Sequence, residues 1–187
     1  MSGRFALLVC ILVLAAHPLG ADSRSPLAVL SGGGHFVMVR HALAPGGGDP
    51  KGFTLDDCST QRNLNDVGRA QARRIGETFR AGGIAQARVF TSQWCRCRDT
   101  AEGMALGPVV ALPILNSYHR EPNQKDSQLA ELRKWIAEQP LDQPTILITH
   151  FTVISGLIGI GPRPGDIVIV RRDGDGRFTV VATVTMD

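Results

Sequence analysis

Four short apolar runs recur along the chain with segments of helical period between them, and this alternation restricts the fold more than any other feature. "HFVMVR" (35–40), "ARVFTS" (87–92), "VVALPIL" (109–115) and "TILITH" (145–150) each have the length of a buried strand. After the first run, "NDVGRAQARRIGETFRAGG" opens on Asn65, a good helix-capping residue. It sets Gly68, Ala72, Ile75 and Phe79 on one face and stops at Gly82 and Gly83. A second helix is expected from Trp94 to about Leu106, and a third on Leu129, Leu132 and Ile136. A short apolar one should follow His150. Strand and helix in turn predict an α/β fold, a three-layer sandwich with a mostly parallel sheet flanked by helices. Pro113 makes the third strand broken or edge-like. "DIVIVRRDGDGRFTVVATVTM" adds a C-terminal β-hairpin around Asp-Gly-Asp-Gly.

The start of the chain does not belong to that pattern. Arg4 precedes a dozen apolar residues (5–16), followed by His17-Pro-Leu-Gly-Ala21 and a polar stretch. This is the layout of a secretory signal peptide, and the run is short for a full bilayer span. Residues 1–21 are therefore expected to be a removable leader and residues 22–187 one domain, with no stable membrane anchor after removal. The formal charge is only +3 and no block of like charges occurs, which speaks against nucleic acid as a partner. Gly32-Gly33-Gly34 precedes a strand and lacks a following Gly-Lys-Ser, so it is no phosphate-cradling loop.

Export changes how the cysteines are read. Past the leader these are Cys58, Cys95 and Cys97. Cys95 and Cys97 are two apart on an expected helix, so their side chains diverge and pair poorly. A bridge from Cys58 to one of them suits an oxidising compartment. The Cys-x-Cys spacing lacks the supporting histidines of a zinc site.

In open α/β sheets, ligands bind beyond the carboxyl ends of the strands. Here the first run ends in Arg40-His41, the second in Thr91-Ser92 with Arg96 in the helix that follows, and the fourth in Thr149-His150. Parallel strands would bring these residues to one edge. Two arginines and two histidines, with no carboxylate from those strand ends, suit a dianion. Guanidinium forks match phosphate oxygens and stay charged. In phosphoryl transfer, cation clamps and positioning supply most of the catalysis. One histidine can attack phosphorus through a ring nitrogen. The other, once protonated beside the anion, can hydrogen-bond its oxygens. Neither a metal nor another cofactor is needed for that chemistry.

The segments "VRHA", "LNDVGRAQA", "SQWCRCRDTA" and "ILITH" together resemble the histidine phosphatase (phosphoglycerate mutase-like) superfamily, over roughly residues 36–160. In that family the first strand ends in Arg-His-Gly. A Leu-Thr-x2-Gly-x2-Gln-Ala helix start follows, then a helix opened by Ser-x3-Arg-x3-Thr-Ala, and a late strand ends in His. The resemblance implies that His41 is the phosphorylated nucleophile and that Arg40, Arg96 and His150 bind the phosphoryl group. "DDCSTQRNL" with "SQWCRC" is similar to exported bacterial members. That implies a periplasmic or secreted phosphatase acting on a small phosphorylated substrate or an envelope phosphosugar.

Two departures stand out. Ala42 replaces the motif's glycine, which would strain the turn if that position required a positive φ. Ser117 stands in "LNS" where family members with a general acid carry Glu, leaving Glu121 or Asp126 on the same loop as candidates. These departures sustain a second reading, a non-catalytic phosphate or phosphoglycan binder that keeps the pocket. Arg96, four before Thr100, is expected to share its helical face, with Arg98 on the surface. Arg62 is also read as a surface residue, and His17, His35 and His119 as structural. The glycines at 46–48 are a candidate lid or specificity loop.

Overall fold

A computed structural model describes residues 25–186, so the expected leader at 1–21, with His17, lies outside the described residues. Six strands form one sheet: β1 (His35–Arg40), β2 (Arg88–Thr91), β3 (Val109–Ala111), β4 (Thr145–Thr149), β5 (Ile167–Arg172) and β6 (Phe178–Val184). Their order across the sheet is β3-β2-β4-β1-β5-β6. The first four run parallel, β5 is antiparallel to β1, and β5 with β6 makes the expected terminal hairpin. The α/β sandwich anticipated from the sequence is the fold observed.

Alternation along the strands builds two cores, because successive side chains of a strand point to opposite faces. Val37 and Val39 of β1 face one way, against Ile75 and Phe79 of α1 (Asp66–Ala81) and Ala101 and Met104 of α2 (Cys95–Met104). Phe36 and Met38 face the other way, against Leu132 and Ile136 of α3 (Lys125–Glu138) and Ile154 and Leu157 of α4 (Phe151–Ile158). Asn65 caps α1 as expected, its Oδ1 accepting from the Gly68 N–H at 2.9 Å.

Three local readings need adjustment. The third strand keeps only Val109–Ala111, since Pro113 opens a 3-10 turn (Pro113–Leu115) in place of further pairing. The helix expected from Trp94 begins at Cys95, with Trp94 as its extended cap, and ends at Met104. A 3-10 stretch, Pro26–Gly32, had no signature in the periodicity, yet its Leu27 and Leu30 are fully buried in the first core.

Register positions the site. Arg40 pairs with Thr149, and Thr91 with Ile148. Beyond the strands, the His41 N–H donates to Thr149 O at 2.9 Å and the Ser92 N–H to Ile148 O at 3.0 Å. The three motif-bearing ends are thus level at one edge.

Candidate active site

That edge opens into a cavity of about 740 Å³ lined by Arg40, His41, Arg96 and His150, the four residues singled out in the sequence. Three of them are nearly shut off from solvent: His41 at 2%, Arg96 at 4% and His150 at 4% exposure. The two imidazole rings lie 5.5 Å apart.

Each histidine has its tautomer set by a partner. His41 Nδ1 is 2.8 Å from Ala42 O, a carbonyl that can only accept, so Nδ1 carries the proton and Nε2 keeps its lone pair. His150 is arranged the opposite way. Arg96 donates to its Nδ1 at 3.5 Å, so the proton sits on Nε2, 2.8 Å from Ser92 Oγ. Ser92 in turn donates to Asn116 Oδ1 at 3.0 Å. Burial, followed by the charge of Arg96 and outweighing the Ala42 hydrogen bond, pulls His41 down to about 3. Burial and then the neighbouring His41 and Arg96 hold His150 well below the usual histidine value. Both rings are therefore neutral near pH 7 while no anion is bound.

The turn after His41 is held from three sides. The Ala42 N–H donates to Thr100 Oγ1 at 2.9 Å, and that hydroxyl donates to Arg96 O at 2.6 Å. The Leu43 N–H donates to Gln71 Oε1 at 2.9 Å, while Gln71 Nε2 reaches Pro164 O and Met186 O. Gly68 lets Leu43 approach α1, since a Cβ there would stand 2.0 Å from Leu43 O. The strain feared at Ala42 is not present. Among the described residues Ala105 is the one non-glycine with positive φ.

The sequence reading missed two charged groups. Arg62, read as a surface residue, is half-buried and lines the cavity, with its NH1 donating to Ala44 O. Burial and the nearby charge of Arg96 lower its pKa. The expected absence of a carboxylate holds for the strand ends but not for the pocket. Asp49, directly behind the glycines at 46–48, forms an ion pair with Arg96, Oδ1 to NH1 at 2.8 Å. Arg40, Arg62 and Arg96 each carry a buried Nε with no partner in the protein. Such orphaned cationic donors are costly unless a ligand fills them.

The remaining candidates sort by position. Ser117 lines the cavity and contacts Thr152 Oγ1 at 3.2 Å, so no carboxylate occupies that place. Glu121 is exposed at the mouth, whereas Asp126 sits in the first turn of α3 outside the lining. His119, read as structural, is exposed and lines the mouth. Arg98 is half-buried over sulfur rather than free on the surface, its NH2 3.2 Å from Cys58 Sγ. Cys58 bridges Cys95, settling which partner it takes. Cys97 is a buried free thiol that burial pushes up to about 12.

Fold and edge together describe an α/β sandwich with a cationic, histidine-bearing pocket at the carboxyl ends of its parallel strands. The family model described as "Histidine phosphatase superfamily (branch 1)" matches residues 36–126, and over those residues the chain is similar to that superfamily. No curated protein sequence matches the chain. Among solved structures, it is similar to the protein histidine phosphatase SixA complexed with tungstate. The two are 18% identical with a TM-score of 0.60, over 81% of this chain and 96% of that one. A mycobacterial glucosyl-3-phosphoglycerate phosphatase with VO3 shares 16% identity and a TM-score of 0.58, over 78% and 96%. An open reading frame product of Mycobacterium tuberculosis shares 16% and 0.61, over 81% and 97%.

Proposed function

We propose that the protein is a phosphatase that works through a phosphohistidine on His41. The observation that carries this reading is the pairing of a neutral His41, its Nε2 lone pair left free, with three arginines whose Nε donors lack partners. In the first step Nε2 attacks phosphorus and a P–N bond forms. The bond from phosphorus to the leaving oxygen or nitrogen breaks, and the leaving atom takes a proton. Arg40, Arg96 and His150 balance the charge on the equatorial oxygens. His150 takes up a proton as the dianion arrives, because the anion offsets the burial and the cations that now hold it neutral. In the second step water attacks phosphorus, the P–Nε2 bond breaks, and inorganic phosphate and neutral His41 are released.

With Ser117 in place of a carboxylic acid, the leaving group meets water or Glu121 at the mouth. Activated leaving groups, phosphoramidates among them, should therefore react faster than simple alcohol esters. The disulfide Cys58–Cys95 supports an oxidising compartment, periplasmic or extracellular, with residues 1–21 as the leader. Among the described residues no helix is long and apolar enough to cross a membrane. A small phosphorylated molecule is the substrate class, with envelope phosphosugars as candidates in that compartment. Ser117 also favours one alternative, a phosphate binder without turnover.

Purified protein from residue 22 onward, incubated with p-nitrophenyl phosphate, a phosphoramidate and envelope phosphosugars, tests the reading. Release of phosphate and an acid-quenched phosphoenzyme that is absent from His41→Ala support it. Phosphate binding with no turnover of any substrate would establish the binder instead.

A further inference from the structure

Asp49 is held the way proteins hold a bound oxyanion. Its Oδ1 accepts from Arg96 NH1 at 2.8 Å and from the Arg62 N–H at 3.0 Å. Its Oδ2 accepts from Arg96 NH2 at 3.2 Å and from Trp94 Nε1 at 3.2 Å. A guanidinium fork, an indole N–H and a backbone N–H thus converge on one carboxylate whose side chain is only 10% exposed. Burial opposes its ionisation, but these hydrogen bonds and the Arg96 charge outweigh burial and keep it below the usual carboxylate range.

Both terminal nitrogens of Arg96 are taken by this contact. The proposed reaction needs the same fork for the phosphoryl group. A carboxylate and a phosphoryl dianion cannot share it without placing like charges together in a poorly solvated recess, where repulsion is strong. We propose that Asp49 is a specificity-determining residue, a tethered anion that occupies the Arg96 fork until a doubly charged phosphoryl group displaces it. The proposal rests on the phosphatase reading of the pocket.

The attachment of Asp49 allows the exchange. Gly46 and Gly48, just before it, have φ of 103° and 153°, in the region that only glycine adopts freely. The glycines at 47 and 48 pack loosely. A Cβ at 47 or 48 would meet nothing within 4 Å. The loop is otherwise held by side chains reaching in from elsewhere, Arg62 to Ala44 O and Arg120 to Asp49 O and Pro50 O. Arg120 also covers the Phe53 ring at 4.7 Å, so that clasp lies on the mouth of the cavity.

Selection follows from charge. Replacing a carboxylate by a terminal phosphoryl group brings a second negative charge to three arginines. Replacing it by a singly charged phosphodiester brings no such gain. Monoesters and phosphoramidates should therefore enter, while diesters are turned away by Asp49 itself. The opposed possibility is a fixed role, in which Asp49 only orients Arg96 and the anion binds at the free Nε.

Titration calorimetry with inorganic phosphate at pH 7.5 separates the two, using wild type, Asp49→Asn and Asp49→Ala, with thermal melting to confirm that each folds. Asn keeps the size and an oxygen acceptor but loses the charge; Ala removes the group. A tethered competitor predicts phosphate affinity at least tenfold higher in both variants. It also predicts a matching fall in KM for p-nitrophenyl phosphate. The preference for that monoester over bis(p-nitrophenyl) phosphate should shrink severalfold. Unchanged or weaker phosphate binding in both variants overturns the proposal and makes Asp49 an orienting group. Tighter phosphate binding with no monoester turnover by any protein upholds it while sinking the phosphatase reading. Absence of phosphate binding in all three sinks both.

Discussion

Two halves of the cavity are built on different terms. The inner half, Arg40, His41, Arg96 and His150, hangs from strand ends and the first turn of α2, and all of it but the half-buried Arg40 is nearly shut off from solvent. The backbone N–H groups of His41, Ala42 and Leu43 donate in turn to Thr149 O, Thr100 Oγ1 and Gln71 Oε1. The outer half, with Gly48, Asp49, Phe53, Arg120 and Glu121, sits on two long connections and is exposed at most positions. On the proposed function, the difference separates tasks. Chemistry that tolerates little misplacement rests on rigid elements, and selection of what enters rests on loops that can change without unfolding the sheet.

The strongest way to break that division is to remove the proposed nucleophile. His41→Asn keeps a group able to bond Ala42 O, yet it has no ring nitrogen to attack phosphorus. Turnover should fall by about 10⁴-fold or more while the melting temperature and phosphate binding persist. Steady-state kinetics and acid-quench labelling read the outcome. Residual turnover above about 1% would remove His41 from the reaction.

The disulfide cross-links the halves through side chains, since Cys58 belongs to the outer loop and Cys95 opens α2 beside Arg96. The double change Cys58→Ser, Cys95→Ser should cost about 3 kcal/mol in denaturant unfolding. It should also raise KM more than it lowers kcat, because the loop carrying Arg62 is released while the strand ends stay put. A drop in kcat with KM unchanged would show that the outer loop acts on the inner half.

Within the anchored half, one methyl group is enough to test the close approach of α1. Gly68→Ala drives a Cβ to 2.0 Å from Leu43 O, so α1 or the turn after His41 must move, at about 2 kcal/mol. Gly47→Ala in the outer loop meets nothing within 4 Å and should leave stability unchanged. Equal effects of the two changes would erase the contrast between the halves.

The inner half was legible for a physical reason. Arg40-His41, Arg96 and Thr149-His150 sit at fixed offsets from periodic apolar runs, and parallel pairing then leaves little choice about where they meet. Gln71, Gly68 and Thr100 stood in the matching segments too, but their roles appear only when Leu43 and Ala42 pass over α1 and α2. Asp49 was missed and Arg62 misread because a loop has no period. Nothing in Gly-Gly-Gly-Asp-Pro says how far the chain will fold back. A usable signal did exist for Arg62. It lies four residues after Cys58, and pairing Cys58 with Cys95 rather than Cys97 brings that segment against the residue preceding Arg96. Leaving the bridge open left Arg62 on the surface.

The smallest effect is also the one that ties charge to stability. His41 titrates near 3 in the folded chain, against the ordinary value of 6.5 in an unfolded one. Between those values the unfolded chain binds the extra proton, so this contribution to stability is complete above about pH 6.5 and is lost as pH falls toward 3. His150, lowered in the same direction, adds to the same window. The loss should approach about 1.4 kcal/mol per pH unit for each histidine below pH 6. Inorganic phosphate should reverse part of it, because a bound anion favours the protonated rings that burial now disfavours. Urea titrations at pH 5, 6 and 7, with and without phosphate, measure both slopes, and His41→Asn should remove about half of the dependence. A pH slope that is the same with saturating phosphate would mean that the anion settles in the outer half, against Arg120 and the loop, and never reaches the two histidines.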